Sequence, residues 1–152
     1  MRRDVTSGSA SGPLKIRVAQ PHERAALEDL QRRSSLALPK YREQLLANPE
    51  AIHLPQEQVD RGDAWVAEVS GELAGFAVLD GGELDGLFVD PSRWRMGIGA
   101  ALVEVVAHEA RRRGLSLTVT AAPEAREFYE RCGFTVEGET ETRFGPAIRM
   151  SR

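Results

Sequence analysis

The spacing of apolar residues predicts that the chain begins with a strand followed by helices. Apolar and polar residues alternate over 14–18, which is the period of a half-buried strand. A helical stripe of apolar residues then runs through 21–38, and Pro21 suits the first turn of such a helix. A shorter helix is predicted over 41–47, while 48–62, with two prolines and no clear period, is predicted to be a loop.

From residue 64 onward the pattern is typical of strands. Two clusters of turn-forming residues, Ser70-Gly71-Glu72 and Asp80-Gly81-Gly82, interrupt the apolar runs. The strands predicted between these turns cover 64–69, 73–80 and 83–89. Because the connections are short, the three strands are expected to form an antiparallel meander.

The next element is a long amphipathic helix predicted over 97–113. Its apolar face carries Ile98, Leu102, Val105, Val106 and Ala110. Gly114 is expected to end this helix. The other face carries charged or polar residues and is expected to meet solvent.

The C-terminal third alternates strand and helix again. A strand is predicted over 115–121, a helix over 123–133, and two strands near 134–138 and 147–151. Because a helix separates it from the meander, the strand at 115–121 is expected to lie parallel to the preceding one, through a right-handed crossover. The chain is therefore expected to form a mixed, mostly antiparallel sheet.

Composition limits the classes of protein that fit this pattern. The chain has 152 residues, enough for one domain, which we place at 14–152 after a Gly- and Ser-rich flexible leader at 1–13. Apolar residues make up 41%, but no apolar run approaches the roughly 20 residues of a membrane span. The net charge of −3 argues against a dedicated nucleic-acid binder, since such domains carry a basic face.

Cysteine and histidine usage bounds the location and the metal chemistry. Cys132 is the single cysteine, so an internal disulfide is excluded, and the N-terminal residues lack the apolar core of a signal peptide. A reducing cytoplasm is the expected compartment. The three histidines are scattered without metal-ligand spacing, so no metal is expected. The oligomeric state cannot be read from the sequence, and a homodimer is left open.

Gly97 and Gly99 stand at the head of the long helix, although glycine is a poor helix former. Bare backbone lets a ligand approach the unpaired N–H groups of a first helical turn, which favour anions such as phosphate. A plain glycine turn is the alternative. A P-loop is excluded because its lysine is missing. A dinucleotide-binding fingerprint is poor, because Leu102 occupies the position of the third glycine.

Two motifs separated by a helix and a strand carry a family resemblance. "VDPSRWRMGIGAALVEVVAHEARRRG" followed by "LTVTAAPEAREFYERCGF" resembles the GNAT N-acetyltransferase superfamily, over about residues 14–150. The resemblance implies α/β/α layers of the α+β class, with two central parallel strands that splay apart. It also implies acetyl-CoA as cosubstrate, bound by Leu87, Phe88, Val89 and by the loop residues Arg95, Met96, Gly97, Ile98, Gly99 and Ala100.

The chain departs from the family pattern at two positions. Trp94 stands three residues before Gly97, where the family has Arg or Gln, with Arg93 and Arg95 on either side as candidates to pair with phosphates. Ala122 replaces an Asn that often precedes the next helix. Because the loop binds phosphate mainly through backbone N–H groups, the ligand is expected to be unchanged.

The chemistry of acetyl transfer assigns the candidate catalytic residues. An amine with a pKa near 10 must lose a proton before it attacks. By position in the family, Glu83 is the candidate base, with Asp85 on the same face of the strand as the alternative and water as a possible intermediary. By resemblance, Tyr129 protonates the leaving thiolate, although its helical spacing also suits core packing. Cys132 is read as a buried apolar residue.

The sequence therefore predicts an N-acetyltransferase in which an amine attacks the thioester of acetyl-CoA directly. A non-catalytic acyl-CoA-binding sensor or partner module with the same fold is the alternative, and an unrelated nucleotide-binding protein is a weaker one. The acceptor is a small-molecule or peptide amine whose identity the sequence does not reveal. Its cleft is expected to involve residues 21–61, where this family varies.

Overall fold

The computed structural model describes residues 13–152, so the predicted leader lies outside the described residues apart from Pro13. Seven strands lie in this part of the chain: β1 (Leu14–Val18), β2 (Ala64–Val69), β3 (Glu72–Asp80), β4 (Glu83–Val89), β5 (Thr118–Ala121), β6 (Thr135–Thr142) and β7 (Gly145–Ser151). The α-helices are α1 (Arg24–Leu36), α2 (Pro39–Ala47), α3 (Gln56–Asp60), α4 (Ile98–Arg112) and α5 (Arg126–Arg131).

All seven strands form one mixed sheet in the order β1-β2-β3-β4-β5-β7-β6. The predicted antiparallel meander is confirmed as β2-β3-β4, and the predicted parallel pair as β4 with β5. That parallel pair is joined at one register position, Glu83 opposite Thr118, where the Thr118 N–H donates to the carbonyl of Gly82 at 2.8 Å. Beyond this point the strands diverge, as the resemblance implied.

Helices cover both faces of the sheet, which confirms the expected α/β/α layers. On one face, α4 and α5 pack in a core that includes Leu102, Val106 and Phe134. On the other face, α1 and α3 contribute to a second core around Leu27 and Phe76. The buried face of α4 is wider than predicted, because Val103 and Ala107 are also buried.

The segment 48–62, predicted to be a loop, contains a short helix. Residues Pro49–Ala51 form a 3-10 turn, and α3 follows with Gln58 and Val59 buried. Sequence periodicity missed α3 because five residues make little more than one helical turn, too few to reveal a period. Its position is fixed by tertiary burial rather than by propensity, since Val59 belongs to the second core.

The other boundaries differ from the predictions by short 3-10 turns and a longer hairpin. The predicted helices at 21–38 and 123–133 each begin with a proline-led 3-10 turn, Pro21–Glu23 and Pro123–Ala125. Strand β6 extends to Thr142, and its pairing with β7 closes a hairpin at Thr142 and Gly145. This hairpin stands beside the divergent end of β5, because β7 also pairs with β5.

Candidate active site

The divergence of β4 and β5 leaves backbone groups of β4 without a neighbouring strand. The Asp90 N–H donates to the Ala74 carbonyl at 2.8 Å, and Val89 lies opposite Gly75. In an antiparallel pair, this register means that the N–H and C=O groups of Val89 form no hydrogen bonds with β3. The N–H and C=O groups of Val89, and of Leu87 two residues earlier, therefore point toward the gap between β4 and β5.

The same register corrects one expectation. Phe88 lies opposite Phe76 at a hydrogen-bonded position, so its backbone pairs with β3 and is not free for a ligand. Its ring packs beside Phe76, with the centroids 5.4 Å apart. The backbone groups of Phe88 therefore face β3, contrary to the expectation. Those of Leu87 and Val89 face the gap, and their contacts with a cofactor stay predictions.

The loop that precedes α4 is held in an uncommon backbone conformation. Arg95 has φ of 67° and Gly97 has φ of 80°, both in the left-handed region. For a residue with a Cβ, such as Arg95, this region costs roughly 1–2 kcal/mol. Strain of this kind concentrates at ligand sites, where the surrounding structure maintains it.

The start of α4 is open to a ligand. Gly97 occupies the N-cap position and no side chain caps the helix. The first hydrogen bond runs from the Ala101 N–H to the Gly97 carbonyl at 3.0 Å, so the amides of Ile98, Gly99 and Ala100 have no acceptor within the helix. The first turn also lacks an acidic side chain. This is an anion site made of backbone.

The two glycines of the loop serve different purposes. A Cβ on Gly97 would meet nothing within 4 Å, so this position needs glycine for its positive φ. A Cβ on Gly99 would lie 3.3 Å from the ring of Phe128, so this position needs glycine for close packing of α4 against α5. The start of α4 and α5 are therefore in close contact at Gly99.

A cleft of about 610 Å³ lies at the gap and the loop, on the face of the sheet that carries α4 and α5. The lining includes many of the predicted cofactor and catalytic residues: Leu87, Val89, Arg95, Gly97, Ile98, Gly99, Ala100 and Tyr129. Its size is typical of a small-molecule site. We call it the cofactor cleft. Met96 is about half exposed beside it, and Phe88 lies on the opposite face.

Arginines line the cofactor cleft, but they differ in availability. Arg93 is tied to Glu72 by an ion pair of 2.7 Å, with only 19% of its side chain exposed. Arg95 is exposed, and Arg131 at the end of α5 is exposed on the other side of the cleft. Within residues 13–152, neither Arg95 nor Arg131 forms an ion pair. Arg131 was not among the predicted site residues.

Trp94, the departure from the family pattern, also lines this cleft. Its indole Nε1–H donates to the carbonyl oxygen of Val89 at 2.8 Å. The side chain is 38% exposed. One of the backbone acceptors that face the gap is therefore already engaged by a side chain of the loop.

Tyr129 is buried within an aromatic cluster at the wall of the cleft. Its ring makes edge contacts with Phe128 and Phe134, at centroid distances of 5.0 and 5.3 Å. Burial, with a smaller effect of Cys132, raises the pKa of Tyr129 to about 12, so the hydroxyl is protonated at neutral pH. Its hydroxyl has no hydrogen-bond partner within residues 13–152.

Cys132 lies next to this cluster and is also buried. Burial raises the pKa of its thiol, which disfavours the nucleophilic thiolate. The environment is consistent with the interpretation of Cys132 as a packing residue.

The two candidate bases lie at the closed end of the gap. Glu83 accepts a hydrogen bond from Thr120 at 3.2 Å and from Arg149 at 3.3 Å. Asp85 is exposed and accepts from the side chain of Gln58 at 3.3 Å. Neither carboxylate lines the cofactor cleft. Thr120 and Arg149 were not predicted, because their link to Glu83 spans 37 and 66 residues of sequence.

A second cleft of about 330 Å³ lies on the opposite face of the sheet, at the same gap. Phe88, Thr120 and Ala122 come from β4, β5 and the residue after β5. Its walls come from α1 and α2 on one side and from the β6-β7 hairpin on the other. We call it the acceptor-side cleft. Phe88 lines this cleft, whereas its neighbours in β4, Leu87 and Val89, line the cofactor cleft.

Two absences apply to the part of the chain that the structure describes. Residues 13–152 contain no cluster of three or more His, Cys, Asp or Glu side chains placed to hold a metal ion. Among the helices of the same residues, none has the length and apolar character needed to cross a membrane.

Comparison with known proteins supports the family resemblance. A family model described as an acetyltransferase (GNAT) domain matches residues 37–151. The peptidyl-lysine N-acetyltransferase YjaB of Salmonella typhimurium is 35% identical over 94 residues, which cover 60% of this chain and 63% of that protein. The alignments with two curated relatives span only 50% and 63% of those relatives' lengths.

Solved structures share the fold over most of the chain. The apo form of YjaB from Escherichia coli superposes with a TM-score of 0.68 and 25% identity, covering 91% of this chain and 96% of that one. The structure of yncA from Salmonella typhimurium with its cofactor acetyl-CoA gives a TM-score of 0.70 at 17% identity, covering 91% and 92%. The matched family domain covers well over half of the chain. This protein belongs to the GNAT acetyltransferase family.

Proposed function

We propose that this protein is an N-acetyltransferase that transfers the acetyl group of acetyl-CoA directly to an amine. The observation that carries this proposal is the arrangement of two clefts on opposite faces of the sheet, meeting where β4 and β5 diverge. A thioester in one cleft and an amine in the other can approach through that gap. Such placement supplies the orientation on which a two-substrate reaction depends.

The cofactor cleft offers groups that suit each part of acetyl-CoA. The amides of Ile98, Gly99 and Ala100 face the site of a pyrophosphate, supported by the positive end of α4. Arg95 and Arg131 add charge on either side of the cleft. The pantetheine amides are suited to pair with Leu87 and Val89, as a short added strand would. The cofactor named in the yncA structure is consistent with this assignment.

The reaction then requires no covalent enzyme intermediate. The nitrogen of a neutral amine forms a bond to the thioester carbonyl carbon, and the carbon–sulfur bond breaks as the tetrahedral intermediate collapses. The electron pair leaves with the CoA sulfur. The Tyr129 hydroxyl, protonated and without a protein partner in residues 13–152, donates its hydrogen bond or proton to that thiolate.

An acceptor that binds as an ammonium group loses two protons on the way to the amide. Glu83 is the proposed acceptor of the first, which must leave before the nitrogen can attack, and the second, lost from the tetrahedral intermediate, offsets the proton that the CoA thiolate takes up. The carboxylate lies behind Thr120, whose side chain lines the acceptor-side cleft. It does not line either cleft itself. A proton would therefore reach Glu83 through water rather than by direct contact. Asp85 is the alternative, in a more exposed position.

The proposal is tested by combining acetyl-CoA binding with CoA release. We expect calorimetry to detect acetyl-CoA binding, and a thiol assay to detect CoA release that depends on added amine. Binding without release across polyamines, aminoglycosides, amino acids, simple alkylamines and peptides would favour the sensor alternative. Competition by ATP or NAD, without acetyl-CoA binding, would instead favour an unrelated nucleotide-binding protein.

A further inference from the structure

The acceptor-side cleft is apolar and carries no charged side chain. Of the residues within 13–152 that line it, most are apolar, and the polar ones are the uncharged Gln31, Ser35, Tyr41, Thr120 and Thr142. A polycationic acceptor would need carboxylates here to replace the hydration of each ammonium group. The cleft provides none.

Two acidic residues near its rim are already paired with other side chains of the protein. Glu124 accepts from Lys40 at 3.1 Å and from the hydroxyl of Tyr41 at 3.2 Å. Glu50 pairs with Arg143 at 3.0 Å. These surface pairs contribute little to stability, but they cancel the negative charge that would attract a second ammonium group.

The β6-β7 hairpin places the ion-paired Arg143 and an aromatic ring at the same rim. The guanidinium of Arg143 lies over the ring of Phe144, 5.1 Å from its centroid, and Phe144 lines the cleft. A cation is thus already stacked on one of the aromatic rings that line the cleft. The ring face of Phe144 is therefore not open to an ammonium group of a polycation, because Arg143 already covers it.

An apolar cleft also favours the neutral, reactive form of a single amine. Removal of an ammonium group from water disfavours its charged form and lowers its pKa. A greater fraction of the bound amine is then neutral and able to attack. The remaining part of the acceptor gains from burial against Phe88, Leu45 and Ile52.

We propose that the acceptor is a monoamine carried on an uncharged apolar group, which the acceptor-side cleft binds. This inference rests on the proposed function for turnover, but it can be tested through binding as well. Polyamines, aminoglycosides and other polycations are excluded as preferred acceptors by the same reasoning. Burial of a second ammonium group without a carboxylate partner is unfavourable, and this is enough to give a preference of at least about tenfold.

Hexylamine and 1,6-diaminohexane form a matched pair of probes, because they differ in one terminal ammonium group. Because the cleft offers no carboxylate to the second ammonium group, we expect kcat/KM for hexylamine to exceed that for the diamine at least about tenfold. Binding to the full chain saturated with CoA, measured by calorimetry, should show the same order. Equal or better use of the diamine, with CoA released, would overturn this inference and leave the proposed function intact.

The two proposals fail in different ways. If hexylamine binds in preference to the diamine but neither amine causes release of CoA, the inference that the cleft binds apolar monoamines stands and the proposed function fails. If neither amine binds to the CoA complex, the inference is overturned.

A pair of exposed leucines provides a charge-introduction test. Leu38 is 40% exposed and lines the cleft, whereas Leu46 is 58% exposed and does not. Leu38→Glu should shift the hexylamine-to-diamine ratio of kcat/KM toward the diamine by at least about threefold, and Leu46→Glu should leave it unchanged. An unchanged ratio in Leu38→Glu, with normal folding and acetyl-CoA affinity, would contradict the assignment of this cleft.

Discussion

The indole N–H of Trp94 donates to the carbonyl oxygen of Val89 at 2.8 Å, across the mouth of the cofactor cleft. Val89 faces the gap between β4 and β5, where a bound pantetheine is proposed to pair with the strand. The Trp94 side chain and the ligand therefore compete for the same hydrogen-bond acceptor, the Val89 carbonyl oxygen. Trp94 stands at the position where the family resemblance would place Arg or Gln.

Substitution of Trp94 by Phe keeps an aromatic ring and removes the donor. Because the Val89 carbonyl becomes available to the ligand, we expect acetyl-CoA to bind about two- to tenfold more tightly, the range of one net hydrogen bond. Calorimetry measures the change. Trp65→Phe is the matched control, since Trp65 is buried in β2 and does not line the cleft. Weaker binding in Trp94→Phe would mean that the indole is part of the binding surface.

Gly97→Ala tests the backbone anion site. The φ of 80° becomes strained, so the loop moves and the amides at the start of α4 are displaced. We expect about a tenfold or greater loss of acetyl-CoA affinity, measured by calorimetry, together with a stability loss of about 1 kcal/mol.

The other end of the same helix supplies a control for Gly97→Ala. Gly114 has φ of 75°, and a Cβ there would also meet nothing within 4 Å. Gly114→Ala should therefore lower stability by a similar amount without a change in acetyl-CoA affinity. Equal affinities in the two variants would contradict the loop assignment.

Local sequence signals predicted this loop, but they did not predict its surroundings. The glycine spacing and the helix start can be read from neighbouring residues, and the structure places them as expected. Arg131 lies 34 residues after Gly97 (131 − 97) and reaches the cleft only because α5 packs on α4 at Gly99. The pairing of Arg93 with Glu72 likewise depends on which strand lies beside the loop.

The error at Phe88 has a related cause. A strand pattern shows which side chains share a face, but it does not show which N–H and C=O groups face a given neighbour. That depends on register, and β4 contains an irregularity between the Gly86 and Leu84 pairings with β3. Phe88 therefore pairs with Phe76, while its neighbours face the gap.

Tyr129→Phe tests the role of the hydroxyl in thiolate release. We expect kcat to fall about 10- to 100-fold, toward the lower end for general acids because a thiolate is already a fair leaving group. Acetyl-CoA affinity should change little. The thermal midpoint should not fall, because the hydroxyl has no partner within residues 13–152 and its removal leaves no orphaned group. An unchanged kcat would remove Tyr129 from the mechanism.

The raised pKa of Tyr129 predicts a specific alkaline behaviour. In the unfolded chain tyrosine has a pKa near 10, whereas burial raises the pKa of Tyr129 to about 12 in the fold. The protonated form is therefore favoured by folding, and this contribution is complete below about pH 10 and lost between about pH 10 and 12. Tyrosinate absorbance during alkaline titration should contain a step near 12 that is absent in Tyr129→Phe. Because Tyr41 also titrates, the comparison with Tyr129→Phe decides: loss of a step near 10 in this variant, instead of the step near 12, would contradict the buried environment.

Glu83→Gln tests the proposed proton acceptor. The amide is nearly isosteric and can still accept from Thr120 and Arg149, so the closed end of the gap should keep its structure. It cannot take up the amine proton. We expect kcat/KM for the amine to fall about 100-fold or more near neutral pH, measured by CoA release.

The effect of Glu83→Gln should shrink as pH approaches the pKa of the free amine. At that pH about half of the free amine is already neutral, so the rate of the reaction depends less on a protein base. Glu139→Gln is the control, because Glu139 is exposed on β6 and lines neither cleft. A loss that is constant across pH would assign Glu83 a structural role, as the partner that holds Arg149 and Thr120 at the end of β4 and β5. An undiminished rate of CoA release at neutral pH in Glu83→Gln would indicate that Asp85 or solvent accepts the proton instead.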